Sequence, residues 1–273
     1  MKKVLLIITS LFGLALTINA SKFVNLTPMP KHITVAEGAY KLPESYSINA
    51  KQLPDSICVE AEKFVQTILK TTGCKARITS KKKADIEMSL DTNLPNEGYK
   101  LSVTKKKIQI SASTTSGFFY AFQTIKKIMP AHVMAGLNPE QAQAIIPTFQ
   151  TDKRPTIPCV EIYDEPRFWY RGFMLDCGRH FFTVDEIKHI LDGMAMYKMN
   201  YFHWHLTEDQ GWRFEVKKYP RLTSIGSVAS DCRMNDMEKG YYWLGKPYGP
   251  FYYTQEDCRE IVEYARSLHI EVI

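Results

Sequence analysis

The sequence predicts a protein of the α/β class, in which the start of a (β/α) barrel or of a doubly wound sheet follows a small α+β domain. Residues 171–213 read as a strand, an amphipathic helix and a second strand, which is the repeating unit of parallel α/β folds. Helical and strand patterns follow at residues 254–268 and 269–273. Residues 21–155 instead mix alternating strand patterns with two helical patterns.

Residues 1–20 have the pattern of a signal peptide. Lys2 and Lys3 form a basic start, an apolar run covers residues 4–16, and Ile18-Asn19-Ala20 ends in a small residue suited to cleavage. The apolar run is shorter than a membrane-spanning helix requires. We therefore expect export to a periplasmic, cell-surface or secreted location, with no membrane span in the mature chain.

The positive charge lies largely in two lysine runs, at residues 81–83 and 105–107. The net charge of +6 falls by two, to +4, when Lys2 and Lys3 leave with the signal peptide. The second run lies between two alternating segments, which predicts the solvated tip of a hairpin. No aromatic residue on which a base would stack interleaves with either run, so nucleic acid is not an expected partner.

Residues 21–155 are predicted to form the small α+β domain. Helices are expected from Asp55 to Thr72, ended by Gly73, and from Phe118 to Met129. Strands covered by such helices predict a sheet with its helices on one face. The domain is expected to fold alone. Residues 131–158 contain four prolines and are interpreted as a connection to the next domain.

Residues 156–273 are predicted to contain the parallel strands. Thr183 with Glu186, and Thr254 with Asp257, have the spacing of capping boxes that begin helices. No GxGxxG motif follows either of the first two strands, which argues against a dinucleotide-binding sheet. Polar residues follow both strands, at the end where parallel α/β folds place their chemistry. They are Asp176, Arg179 and His180 after the first strand, and His203, His205, Glu208, Asp209 and Arg213 after the second.

The long loop at residues 224–253 is rich in tyrosine and tryptophan. Loops of this length in a compact domain are usually functional. Aromatic side chains near carboxylates suit a sugar ring, whose weakly polar face stacks on them. Packing of the loop itself is an equally good interpretation of the same residues.

Several sequence motifs together resemble family 20 of the glycoside hydrolases, the β-N-acetylhexosaminidases. The motif HWHLTEDQGWR occupies residues 203–213, with RHF at 179–181, YPRLT at 219–223 and YTQED at 253–257. The resemblance is dense from residue 165 onward. Residues before it resemble the family's α+β accessory domain.

The resemblance implies a (β/α)8 TIM barrel, of which this chain holds only the first two to three strands, with truncation in the third. It implies exo-acting removal of terminal N-acetylglucosamine or N-acetylgalactosamine, with retention of configuration and without a cofactor. The substrate's own acetamido carbonyl attacks the anomeric carbon in this family. Its Asp-Glu pair, which orients the acetamido group and protonates the leaving oxygen, is expected beyond Ile273. This chain is therefore expected to hold no catalytic residue and to be inactive alone.

The resemblance also implies which residues contact the sugar. Arg179 matches the arginine that binds hydroxyls at the non-reducing end, a task suited to a fixed fork of donors. A purely structural ion pair with Asp176 is the alternative role. Glu208 matches a position that is often aspartate, where the carboxylate pairs with a histidine expected beyond Ile273. Asp209 is a secondary candidate.

Two other functions remain open from the sequence. His203 and His205 share one face of a strand, so a zinc-dependent barrel hydrolase is possible. A non-catalytic carbohydrate-binding protein is the second alternative. The six cysteines are scattered without metal-ligand spacing, so they indicate neither a metal site nor a disulfide scaffold. The expected partners are glycans that contain N-acetylhexosamine. Met174, Phe202 and Trp204 are expected to face the barrel interior.

Overall fold

The computed structural model describes residues 24, 26–148, 154–236, 238 and 240–273. The predicted signal peptide lies outside the described residues. Two bodies of secondary structure follow one another along the chain: a seven-stranded sheet with helices, and a three-stranded parallel sheet with helices. Across the described ranges, no helix has the length and apolar run that a membrane crossing needs.

The amino-terminal sheet contains antiparallel and parallel strands. Its strands are β1 (His32–Lys41), β2 (Ser45–Ile48), β3 (Lys75–Ile78), β4 (Ile86–Leu90), β5 (Tyr99–Val103), β6 (Ile108–Ala112) and β7 (Thr156–Asp164). Their order is β1-β7-β5-β6-β4-β2-β3. Neighbours from β1 to β6 are antiparallel, and neighbours from β6 to β3 are parallel. The hairpin predicted around residues 105–107 is confirmed as the β5–β6 connection.

Helices cover one face of this sheet because its strands alternate apolar and polar side chains. They are α1 (Asp55–Thr72) and α2 (Thr115–Ile128), followed by the short helices α3 (Ala131–Met134) and α4 (Pro139–Ile145). Phe64 of α1 stacks on Phe122 of α2, with ring centroids 4.6 Å apart. Gly73 ends α1 in the left-handed conformation, at φ 76°, as its position in the sequence predicts.

The two short helices correct the interpretation of residues 131–158 as a plain connection. Asn138 begins α4 with a capping box that includes Gln141, and Pro139 takes the first helical position. The same proline that indicated a loop from sequence therefore begins a helix.

The division between the domains also differs from the boundary expected after residue 155. Strand β7 pairs with β1 on one side and β5 on the other, so it lies inside the amino-terminal sheet. The side chains of Ile157, Val160 and Ile162 are buried in that core. The change of sheet therefore falls after Asp164, because the first domain is not complete without the strand at residues 156–164.

The second body begins a (β/α) barrel. Strands β8 (Gly172–Asp176) and β9 (Tyr201–His205) are parallel and are joined by helix α5 (Val184–Met196). The segment that follows contains the hairpins β10 (Thr207–Glu208) with β11 (Gly211–Trp212), and β12 (Arg233–Asp236) with β13 (Gly240–Trp243), separated by α6 (Arg221–Ser224). Helix α7 (Gln255–Ser267) then leads to β14 (Glu271–Val272), which adds to β9 in parallel.

Both predicted capping boxes are present, at Thr183 with Glu186 and at Thr254 with Asp257. In each, the threonine side chain accepts from a backbone N–H while the acidic side chain accepts from the threonine N–H. Each pair satisfies two donors that a helix start would leave without partners. These local pairings fix where α5 and α7 begin.

The expected inner face of the barrel strands needs correction. Phe202 and Trp204 are buried and belong to the same core as the α5 and α7 side chains, so they face the helices. Met174 is 52% exposed and pairs with His203, so these two side chains share the other face of the sheet. Alternation along a strand places Phe202 and Trp204 on one side and His203 and His205 on the other.

Ionic contacts join the bodies, among them those of Lys198 with Asp164 and of Arg171 with Glu97. The ammonium of Lys198 lies 2.6 Å from the Asp164 carboxylate and donates to the Tyr99 hydroxyl at 2.8 Å. Burial lowers the pKa of Lys198, against the opposing effect of Asp164. The Arg171 guanidinium contacts both carboxylate oxygens of Glu97, at 3.0 and 3.1 Å. These contacts fix the barrel strands against the amino-terminal sheet.

Candidate functional site

Polar side chains meet where β8 and β9 end. Asp176 is the last residue of β8, and His205 is the last residue of β9. The parallel register pairs these two residues directly, so their side chains lie on the same face of the sheet. His205 Nδ1 is 3.2 Å from Asp176 Oδ1. The strand ends therefore bring together an acid and an imidazole that are 29 positions apart.

Arg179 and Glu208 extend this pair to a closed ring of four charged or titratable groups. Arg179 Nη1 is 2.5 Å from Asp176 Oδ2, and its Nη2 is 3.3 Å from Glu208 Oε1. Glu208 Oε2 in turn lies 3.3 Å from His205 Nε2. The Arg179 side chain is 55% exposed, whereas the other three are about a quarter exposed. We call these four residues the Arg179 ring.

Short local contacts preorganise Arg179. Its backbone N–H donates to Asp176 Oδ1 at 3.1 Å, so the same carboxylate holds both the main chain and the side chain of the arginine. Gly178 lies between them, and a Cβ there would come within 2.7 Å of the Glu208 Cβ. Only glycine therefore lets the loop after β8 approach Glu208 this closely.

The charges of the ring are mutually stabilised. Partial burial acts to raise the pKa of Asp176, but hydrogen bonds from Arg179 and His205 outweigh it and lower that pKa below its ordinary value. The hydrogen bond to Asp176, with the nearby charges of Asp176, Glu208 and Asp209, raises the pKa of Arg179. The arginine therefore remains a cation and Asp176 remains a carboxylate at neutral pH.

The stability that Asp176 contributes is expected to depend on pH. Because its folded pKa lies below the unfolded value of about 3.9, its contribution is fully present above that value. It is lost as the pH falls through the lower, folded pKa. Urea unfolding of the wild type and Asp176→Asn should therefore differ at pH 6, and the difference should begin to shrink as the pH falls below about 3.9. A difference that is constant over this range would contradict the ion pair.

Asp209 lies outside the ring. It occupies the turn between β10 and β11, where its side chain is exposed, and it acts on Arg179 through its charge alone. Among the predicted site residues, the structure thus joins Arg179 to Glu208 and leaves Asp209 at the edge. It also adds Asp176, which the sequence offered as a structural ion-pair partner of Arg179, and His205, which the sequence offered as a zinc ligand. Their identical position at the ends of successive strands is the signal that predicts their contact.

Arg213, the last residue of the HWHLTEDQGWR motif, has a supporting position. Its guanidinium is buried and donates to four backbone carbonyls. They belong to Cys177, Gly178, Ser227 and Phe251, at 3.1, 3.0, 2.7 and 2.9 Å. Burial lowers the pKa of Arg213. The side chain fastens the loop that carries Arg179 to the segment after α6, and it is not accessible to a ligand.

The aromatic residues of the long loop divide into two sets. Tyr253 is buried and stacks on Phe181, at 4.7 Å, while Tyr248 stacks on His180 at 5.8 Å. These rings pack the loop against the segment after β8. Tyr241 and Trp243 instead lie on the β12–β13 hairpin and are 70% and 67% exposed. The packing interpretation is therefore confirmed for Tyr248 and Tyr253, and stacking on a sugar stays a prediction for Tyr241 and Trp243.

The two histidines of the H-x-H pattern differ in their surroundings. Both ring nitrogens of His205 contact carboxylates, whereas the side chain of His203 is exposed. Their ring centroids are 6.4 Å apart. Within the described ranges, no group of three or more His, Cys, Asp or Glu residues is arranged to hold a metal ion. His205 therefore takes part in the ion pairs of the Arg179 ring.

Comparison with known proteins covers both bodies of the chain. Residues 24–165 match the profile of glycosyl hydrolase family 20, domain 2, and residues 168–273 match that of glycosyl hydrolase family 20, catalytic domain. The junction of the two matches falls where β7 ends and the second sheet has not yet begun.

Relatives and solved structures agree with these matches. A beta-hexosaminidase of Porphyromonas gingivalis is 38% identical over 92% of this chain and 30% of its own length. A beta-hexosaminidase of Vibrio furnissii is 33% identical over 91% of this chain and 36% of its own. The structure of Streptomyces plicatus N-acetyl-beta-hexosaminidase in complex with Thio-NAglucal aligns with a TM-score of 0.74 and 28% identity, over 91% of this chain and 44% of that one. The chain spans about a third of the length of the two relatives.

Proposed function

The chain belongs to glycosyl hydrolase family 20, and from this premise we propose that the protein is an exo-acting β-N-acetylhexosaminidase. It removes terminal N-acetylglucosamine or N-acetylgalactosamine from glycoconjugates, with retention of configuration. The Arg179 ring is the observation that carries the proposal. It presents a fixed cationic fork at the carboxyl ends of two parallel strands, where barrel enzymes bind their substrates.

The ring offers both donors and acceptors to the hydroxyls of a neutral sugar. Asp176 and Glu208 hold the Arg179 guanidinium from two sides, at 2.5 and 3.3 Å, and its side chain remains 55% exposed. A guanidinium has five N–H donors in one plane, so two carboxylates leave donors for neighbouring hydroxyls. The carboxylates can themselves accept from those hydroxyls. We assign these groups to binding the non-reducing end of the sugar, with Asp209 as an outlying charge.

Bond cleavage is proposed to use the substrate's acetamido carbonyl as the nucleophile. The resemblance assigns proton donation and orientation of the acetamido group to an Asp-Glu pair of the family, and none of the four ring residues is proposed as the general acid. His205 contacts Asp176 and Glu208, and it acts by positioning these carboxylates. No cofactor is required by this chemistry.

We also propose that the protein is exported. The basic start at Lys2 and Lys3, the apolar run at 4–16 and the small residue Ala20 support this. The substrates are then glycans outside the cytoplasm that contain N-acetylhexosamine.

The test compares three aryl β-glycosides on the protein at its full natural length. The aryl N-acetylglucosaminide should be hydrolysed, and the aryl glucoside, which lacks the acetamido group, should not. The N-trifluoroacetyl analogue should react about tenfold or more slowly, because fluorine weakens the carbonyl nucleophile. Equal rates for the first two substrates would contradict substrate assistance.

The same assay in EDTA distinguishes the proposed mechanism from a zinc-dependent one. Activity should survive chelation, because the proposed chemistry uses carboxylates and the amide of the substrate. Loss of activity in EDTA and its recovery with zinc would support the His203 and His205 reading. Binding of N-acetylglucosamine without any hydrolysis would support the carbohydrate-binding alternative.

A further inference from the structure

The two lysine runs of the amino-terminal domain meet in the folded structure. Residues 81–83 shortly precede β4, and residues 105–107 directly precede β6. These two strands are adjacent and parallel, with Ile86 paired to Ile108, and the Ile108 N–H donates to the Asp85 carbonyl at 2.9 Å. Runs that are far apart in sequence therefore lie side by side at one end of the sheet.

Backbone contacts hold both runs in place. In the second run, the Thr104 hydroxyl accepts from the N–H groups of Lys106 and Lys107, at 3.3 and 3.2 Å. In the first run, the Asn49 side chain donates to the Lys82 carbonyl at 3.4 Å. The stem of Lys105 lies over Gly38, where an added Cβ would come within 2.2 Å of the lysine Cε. The lysines are thus presented from ordered turns.

The positive charge at this end is largely unbalanced. Lys107 is paired with Glu87 at 2.7 Å, and the Asp85 carboxylate accepts from the N–H and hydroxyl of Ser47, at 2.8 and 2.7 Å. Five lysines remain exposed, and in the part of the chain that the structure describes none of them forms an ion pair. They are Lys81, Lys82, Lys83, Lys105 and Lys106. The exposed acids near this end include Glu37 of β1, beside Gly38, and Glu161 of β7, whose carboxylate accepts from the Ser102 hydroxyl. We call the five exposed lysines the lysine patch.

The lysine patch lies away from the Arg179 ring. Where β5 pairs with β7, Val103 and Val160 lie at the end of the sheet that carries the lysine patch. Tyr99 and Asp164 lie at the opposite end. Asp164 contacts Lys198 of the barrel body, so the barrel lies beyond the end opposite the patch. A ligand on the patch leaves the sugar site free.

We propose that the lysine patch binds an anionic polysaccharide, a glycan chain bearing sulfate or carboxylate groups. Lysine ammonium groups are point charges on flexible stems, which suit a repeating polyanion more than one fixed group. Neither run contains an aromatic side chain to stack on bases or an apolar side chain to enter a bilayer. The choice of a glycan among polyanions rests on the proposed function. The domain then holds the body of an anionic chain, while the barrel site acts on glycan ends.

The test measures binding of the polysaccharide and does not depend on hydrolysis. A failure of the proposed function, which is loss of hydrolysis, is therefore distinct from a failure of this proposal, which is loss of binding. Labelled chondroitin sulfate is titrated with the whole chain at several salt concentrations, beside a neutral chito-oligosaccharide. Four patch lysines are changed to glutamine: Lys81, Lys82, Lys105 and Lys106. The matched control changes four exposed lysines elsewhere to glutamine: Lys70, Lys217, Lys218 and Lys246.

Chondroitin sulfate is expected to bind with an affinity that falls steeply with salt, because each neutralised charge releases a counterion. The patch variant should bind about tenfold or more weakly and show a shallower salt dependence, whereas the control variant should stay within about twofold of the wild type. Equal losses in both variants would show a diffuse net-charge effect and overturn the proposal. Binding to duplex DNA or to phosphatidylglycerol vesicles in preference to chondroitin sulfate would overturn the choice of a glycan.

Discussion

Replacing Arg179 by alanine in the full-length protein is expected to lower kcat/KM by about a hundredfold or more. Each charge-assisted hydrogen bond to a sugar hydroxyl contributes about 1.5–3 kcal/mol, or roughly tenfold or more in rate, and the exposed fork has donors for two of them. The variant also leaves Asp176 and Glu208 without the cation that holds them. Kinetics on an aryl N-acetylglucosaminide measure the loss.

Arg259 offers a matched control. It pairs with Glu256 at the same spacing of three residues, with Nη1 and Oε1 2.9 Å apart, but on the exposed surface of α7. Arg259→Ala should therefore change kcat/KM by less than about twofold, since exposed ion pairs contribute little. Normal kinetics in a stably folded Arg179→Ala protein would show that the arginine is only a structural partner of Asp176.

A substrate analogue distinguishes direct binding of a sugar hydroxyl by Arg179 from a purely structural role of this residue. A 4-deoxy sugar lacks a hydroxyl at the non-reducing end, so it should react more slowly than the parent with the wild type. If Arg179 binds that hydroxyl, the same analogue should lose little further rate with Arg179→Ala, because the interaction is already gone. Additive losses would place the arginine away from this hydroxyl.

The amino-terminal domain is expected to fold from residues 21–167 and to fail to fold from residues 21–155. The shorter chain lacks β7, which lies between β1 and β5 in the sheet. It loses the buried side chains of Ile157, Val160 and Ile162, each worth about 1.5–3 kcal/mol. Their sum is similar to the whole stability of a typical domain, about 5–15 kcal/mol. Circular dichroism and urea unfolding distinguish the two chains.

Substitutions within the longer chain provide the control. Glu161 and Ile162 are neighbours in β7, the first exposed and the second 3% exposed. Glu161→Thr should leave cooperative unfolding intact, whereas Ile162→Asp should abolish it by burying a charge in the core. Cooperative unfolding of residues 21–155 would show that the sheet closes without β7.

Local features were predictable because they depend on residues a few positions apart. Gly73 ends α1 because glycine tolerates a positive φ, and Thr183 with Glu186 begins α5 by satisfying its first N–H groups. The β5–β6 hairpin follows from alternation on both sides of a lysine turn. None of these needs a partner from elsewhere in the chain, so the sequence pattern is sufficient.

Nonlocal features were predicted incompletely or placed wrongly. The prolines near residue 155 suggested a boundary, yet β7 pairs with strands whose residues lie more than 50 positions away. Phe202 and Trp204 were assigned to the barrel interior, although alternation alone requires only that they share a face. Which face meets the helices depends on the packing of α5 and α7.

The sequence by itself determined the family, the starts of α5 and α7, and the candidacy of Arg179 and Glu208, because side-chain chemistry and short spacings are written in it. The tertiary structure alone decided that Glu208 and His205 close the ring that Asp176 begins around Arg179, and that two lysine runs form one patch. Both outcomes come from strand pairing. Parallel register places residues of distant segments side by side, and that register is set by burial of the whole sheet.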